Sequence, residues 1–143
     1  MRQKLVAHLT DGEVLKGHSS DFRPNAPFFH LMTPARPVAS SRRIDVDALK
    51  ALFFVRSWGR PDGWTARSYR FGVGGMAREP GRRAVIRFHD GERIWGYVPP
   101  DATSSRGFFL ISADPDDNNL RMFVNRRSLE EFSFLDEGSL DPH

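Results

Sequence analysis

The sequence predicts an all-β protein made of two tandem five-stranded small barrels related by internal duplication. Three observations predict it. Residues 4–31 and 83–110 share one register at a constant shift of 79. Apolar residues alternate with polar ones in short runs punctuated by Asp-Gly turns. Neither copy shows a sustained 3.6-residue apolar stripe, which argues against long helices.

The repeat is the strongest of the three, and self-similarity sets the architecture before any single element does. Asp11-Gly12-Glu13 falls on Asp90-Gly91-Glu92, Gly17 on Gly96, Phe29 on Phe108 and Leu31 on Leu110. After one extra residue in the second copy, Ile44 falls on Val124, Leu52 on Phe132 and Phe54 on Phe134. The boundaries that follow are a first barrel at 1–56, a basic aromatic linker at 57–81, a second barrel at 82–136 and a tail at 137–143.

Each copy then reads strand by strand. Leu5, Ala7 and Leu9 alternate with Val6, His8 and Thr10. Asp-Gly supplies a tight hairpin because glycine accepts positive φ. Glu13–Ser20 returns as a second strand, and Gly17 and Gly96 mark a bend or bulge within it. Phe28–Thr33 and Gly107–Ser112 form third strands. Arg42–Val46 and Arg121–Val124 form fourth strands. Short turns at Asp47–Leu49 and Arg127–Leu129 lead into the last strands, Lys50–Val55 and Glu130–Leu135.

Asp-Gly-Glu, the later glycine, the aromatic-aliphatic third strand and the final apolar strand resemble Sm-like and SH3-like barrels. The whole chain is similar to an uncharacterised bacterial family of tandem small barrels. The second copy carries the likeness in Gly107–Pro115, Asn118-Asn119 and Arg121–Val124. The resemblance implies the fold and leaves activity open. The aromatic and Asn constellation with which Sm-like proteins hold bases is missing.

Positions apolar in both copies predict the cores: Leu5/Ala84, Ala7/Ile86, Leu9/Phe88, Leu15/Ile94, Phe29/Phe108, Leu31/Leu110, Leu52/Phe132 and Phe54/Phe134. Among the positions apolar in one copy only are Trp95 against Lys16, Phe109 against His30, Phe53 against Ser133, and Phe123 against Arg43. Strand alternation points these rings away from their own core. They need a cover, which is the other barrel, the linker or an external partner. The other barrel is the favoured cover. Trp95, Phe109, Phe53 and Phe123 are also the partner-binding candidates.

Composition narrows the chemistry. The chain of 143 residues has no cysteine, which excludes disulfides, thiolate nucleophiles and Cys-ligated zinc, and suits a cytoplasmic setting. No apolar run approaches the roughly 20 residues of a membrane span. The net charge of +3 divides into +3 over residues 1–55, +5 over 56–83 and −5 over 84–143. No Ser stands in a nucleophile turn. His8, His18, His30 and His89 lack ligand spacing, so no metal and no cofactor is expected. Asp114–Asn119 has turn composition and lacks the spacing of a calcium loop. Gly72–Gly75 neither follows a strand nor opens a helix. The paired arginines 42–43, 82–83 and 126–127 have no companion motif of a cyclic-dinucleotide reader, and read as solvated strand ends.

The linker interleaves Arg56, Trp58, Arg60, Trp64, Arg67, Tyr69 and Arg70. Cations neutralise phosphates and rings stack on bases, so these residues are the nucleic-acid-binding candidates. Their competing role is to anchor the linker on the barrels. The functional expectation is a non-catalytic interaction or regulatory module that binds another protein. The alternative is RNA or single-stranded DNA binding through the linker and first barrel.

Overall fold

The structure is a computed structural model that describes residues 3–34, 40–57, 80–101, 103–113 and 119–135. It is all-β, with two single-turn 3-10 helices and no α-helix among the described residues. The first repeat contributes β1 (Lys4–Leu9), β2 (Val14–Gly17), β3 (Phe28–Thr33), β4 (Ser40–Asp45) and β5 (Leu49–Val55). The second contributes β6 (Arg82–Phe88), β7 (Arg93–Val98), β8 (Gly107–Ser112), β9 (Asn119–Asn125) and β10 (Leu129–Phe134).

The repeat is visible in local geometry. Both Asp-Gly turns hold glycine at φ +93°, where a side chain is strained. In each turn the aspartate accepts a hydrogen bond from the backbone two residues on, Glu13 N–H to Asp11 at 2.8 Å and Glu92 N–H to Asp90 at 3.0 Å. A 3-10 turn precedes the last strand of each repeat, at Val46–Ala48 and Arg126–Ser128. Gly17 and Gly96 perform the same task. A β-carbon there would lie 2.2 Å from the Met32 carbonyl oxygen or 2.4 Å from that of Ile111, so neighbouring backbone occupies the space.

Strands β10-β6-β7-β8-β9-β5-β1-β2 form one antiparallel sheet, and β3-β4 form a second. Two backbone hydrogen bonds at His18 and Met32, of 3.0 and 2.7 Å, connect β2 to β3. Each repeat therefore runs fifth, first, second, third, fourth strand.

This corrects the expectation of two separately closed five-stranded barrels. Closure would require the fourth and fifth strands of one repeat to pair. Instead β5 pairs with β9 of the other repeat, from Ala51↔Val124 to Phe54↔Arg121. The cause is the outward face of β5, where Ala51, Phe53 and Val55 are all apolar and removed from water only by crossing to the other repeat.

Two hydrophobic clusters result, and each borrows from its neighbour. One joins Val6, Ala51, Phe53 and Val55 to Ala84, Ile86, Phe88, Phe108 and Leu110. The other joins Phe123 and half-buried Phe109 to Leu5, Ala7, Phe29, Leu31, Leu52 and Phe54. The predicted core residues are buried with three exceptions. Leu15 and Phe132 are partly buried, and Phe134 is 38% exposed. Phe54, its counterpart, is covered by Phe109 and Arg121 across the seam, whereas Phe134 sits on an outer edge under Arg82.

Candidate interaction surfaces

Three side chains, Asn125, Ser128 and Lys50, tie the seam around the β5–β9 ladder. Asn125 donates from Nδ2 to the carbonyls of Leu49 (2.9 Å) and Val46 (3.2 Å), holding the 3-10 turn of the first repeat. Its Oδ1 accepts from Arg127 N–H, so one buried amide caps both turns. Ser128 Oγ lies 2.9 Å from the Lys50 carbonyl. Lys50 Nζ donates to Asp90 at 2.7 Å and Glu92 at 2.5 Å, in the turn of the second repeat.

Burial alone would lower the Lys50 pKa, but the hydrogen bonds to Asp90 and Glu92 outweigh it and hold the ammonium above its ordinary value. Burial would raise Asp90, and the Lys50 hydrogen bond turns that into a net lowering. A cavity of about 280 Å³ opens beside this pair, between Leu9 and Lys50 on one side and Phe88, His89 and Arg127 on the other. Its cations already face acids: Lys50 faces Asp90 and Glu92, His89 faces Glu130, and Arg127 faces Asp47.

The rings apolar in one copy are placed by this seam. Phe53 is 1% exposed and meets the His8 ring edge-on at 4.8 Å. Phe123 is fully buried, with Phe22 and Phe109 each at 5.4 Å. Phe109 is half-buried, and the Arg121 guanidinium lies 4.5 Å above both its ring and that of Phe54. Three of the four partner-binding candidates thus have the other repeat as cover. Trp95, on β7 opposite Val85, is 5% exposed. Trp95, Phe53 and Phe123 present no open ring to a partner.

Of the nucleic-acid-binding candidates, Arg56 is exposed just beyond β5. Trp58, Arg60, Trp64, Arg67, Tyr69 and Arg70 lie outside the described residues, as do Gly72–Gly75 and Asp114–Asn118. His30 bonds Asp21 at 2.7 Å, His18 contacts the Gln3 carbonyl, and His89 bonds Glu130 at 2.6 Å. Among the described residues no three His, Asp or Glu converge as metal ligands do, and no helix is long and apolar enough to cross a membrane.

Sequence reasoning missed the two outer edges. Among the described residues β4 pairs only with β3, and β10 only with β6. Val46 N–H donates to the Pro27 carbonyl and Leu135 N–H to that of Arg83, both at 2.9 Å. Antiparallel ladders alternate, so the N–H groups of Ser41 and Arg43 on β4, and of Phe132 and Phe134 on β10, point away from their sheet partners. The signal was present in the counterparts of the seam rings. Arg43 and Ser133, where the other copy has Phe123 and Phe53, are the outward residues of these two edges.

The arrangement defines an all-β protein of two duplicated strand units, fused through one shared ladder. The chain belongs to a family of unknown function, DUF6982, which it matches over residues 1–136. No curated protein and no solved structure matches it significantly.

Proposed function

We propose that the chain is a non-catalytic interaction module that binds another protein by accepting a strand at an open sheet edge. Each repeat is, in this reading, a small SH3/Sm-like barrel left open between its fourth and fifth strands. The carrying observation is how the exposed surface divides. Phe53 and Phe123 are buried inside the seam, while among the described residues β4 and β10 retain backbone donors with no strand beside them. An edge of that kind templates the addition of an extended segment. Arg42, Arg43, Glu130 and Glu131 line the edges with charge, which favours a specific partner over indiscriminate sticking.

The test is photo-crosslinking in the native host from a reactive side chain placed at Ser41 or at Ser133. Defined protein adducts that disappear with Ser41→Pro or Phe134→Pro are expected. No adduct at either edge would remove the proposal. A second reading is nucleic-acid binding through the linker and first repeat. It rests on their combined charge of +8, from +3 over residues 1–55 and +5 over 56–83.

A further inference from the structure

We infer that the chain associates with itself head to tail, β10 of one copy adding to β4 of the next. The inference rests on the edge-binding reading above and names its partner. Within the chain the fifth strand of the first repeat pairs with the fourth strand of the second. That contact is heterologous, because it uses a different edge of each repeat. Among the described residues it therefore leaves one fourth strand and one fifth strand at the two ends, and the same pairing can recur between chains.

The register carries over. Adding 80 to each β5 residue gives β10, and subtracting 80 from each β9 residue gives β4. Ala51↔Val124, Leu52↔Phe123, Phe53↔Met122 and Phe54↔Arg121 then become Glu131↔Ile44, Phe132↔Arg43, Ser133↔Arg42 and Phe134↔Ser41. The hydrogen-bond phase agrees. The two pairs Phe132↔Arg43 and Phe134↔Ser41 join the residues whose N–H groups point outward on both strands.

Net charge agrees as well, since residues 1–55 carry +3 against −5 for 84–143. Arg42 lies diagonal to Glu131 and Arg43 opposite Phe132; within the chain Arg42 is held by Glu13, Glu131 by Arg87 and Arg43 by Asp45, exposed pairs that the contact would share or exchange. Asp45 and Glu130 bring like charge to one end, which confines the contact to these four pairs. The apolar seam residues are replaced by Arg43, Ser133 and Glu131, so the contact between chains is polar, reversible and salt-sensitive, unlike the seam.

Sedimentation velocity and native mass spectrometry of the full chain test this, from about micromolar to millimolar concentration. At low salt the mass is expected to climb in multiples of the 16.3 kDa chain. The apparent affinity should fall about tenfold or more between roughly 20 mM and 500 mM salt. Ser41→Pro blocks β4 and Phe134→Pro blocks β10, each at an exposed position. Each variant alone should be monomeric, and a mixture of the two should give a dimer that grows no further. Glu131→Arg keeps every backbone donor and should weaken association about tenfold. A wild type monomeric throughout at low salt overturns the inference, as do assemblies that persist in either proline variant alone or ignore Glu131→Arg. A monomeric wild type that still crosslinks to a different protein through Ser41 or Ser133 removes self-association and leaves edge binding standing.

Discussion

Phe53 belongs by sequence to the first repeat and by packing to the core of the second. Replacing it with alanine tests the shared seam directly. Its ring is 1% exposed and packs with Val6, Ala51, Val55 and the β6–β8 apolar residues. Removing the ring forfeits about 1.5–3 kcal/mol of transfer free energy. The cavity left among strands of one sheet, held in place by its backbone ladders, cannot fully collapse, which brings the expected loss to about 3–5 kcal/mol. At a urea m-value of about 2 kcal/mol/M, the unfolding midpoint should fall by roughly 2 M with unchanged slope. Hydrogen exchange by mass spectrometry locates the effect. Amides of β6–β8, in the other repeat, should lose protection together with those of β1 and β5. A loss below about 1 kcal/mol, or exchange changes confined to residues 4–55, would refute the reasoning that the two cores are completed across the seam.

The other expectations are independent of that one. Gly17→Ala and Gly96→Ala should each cost about 1–3 kcal/mol in the same melts, because the methyl meets a carbonyl oxygen of the next strand. Equal stability would show that the strand yields at no cost. Lys50→Met should cost about 1–3 kcal/mol, since Asp90 and Glu92 lose their shared cation. The sign with pH follows from both partners. Asp90 is depressed when folded, so its share is complete above about pH 4 and fades as pH falls through the lower folded value. Lys50 is raised, so its share is present below about pH 10.4 and fades as pH climbs through the higher folded value. The difference between wild type and Lys50→Met should therefore be flat between those limits, and a difference growing toward low pH would contradict the pairing. Under the nucleic-acid reading, single-stranded RNA should shift in a low-salt gel, and Arg60, Arg67 and Arg70→Ala together should abolish the shift; a shift indifferent to those charges would dismiss the linker as its site.

Local features were legible because they depend on local chemistry. Asp-Gly demanded a turn with positive φ, and Gly12 and Gly91 adopt it. The strands expected at Phe28–Thr33 and Gly107–Ser112 have those bounds in the structure. The outward rings Phe53, Phe109 and Phe123 announced that each repeat lacked a cover. Which surface supplied it was not legible, because the pairing of β5 with β9 joins residues some seventy positions apart and has no local signature. The same ambiguity misplaced Phe134. Its pattern matches that of buried Phe54, yet an edge strand has no neighbour to complete its burial. The open edges escaped notice for a related reason, since a polar side chain where the other copy has a ring looks like ordinary solvation until the ladder is known.

The crossing of β5 into the second core also bears on how the protein comes into being. A ribosome releases β5 long before β9 has been synthesised. During that interval Ala51, Phe53 and Val55 lie on a strand that has β1 on one side and lacks β9 on the other, an apolar margin of the kind on which nascent chains aggregate or recruit chaperones. The first repeat cannot be finished on its own, so its maturation waits on the synthesis of β9, more than sixty residues further along the chain.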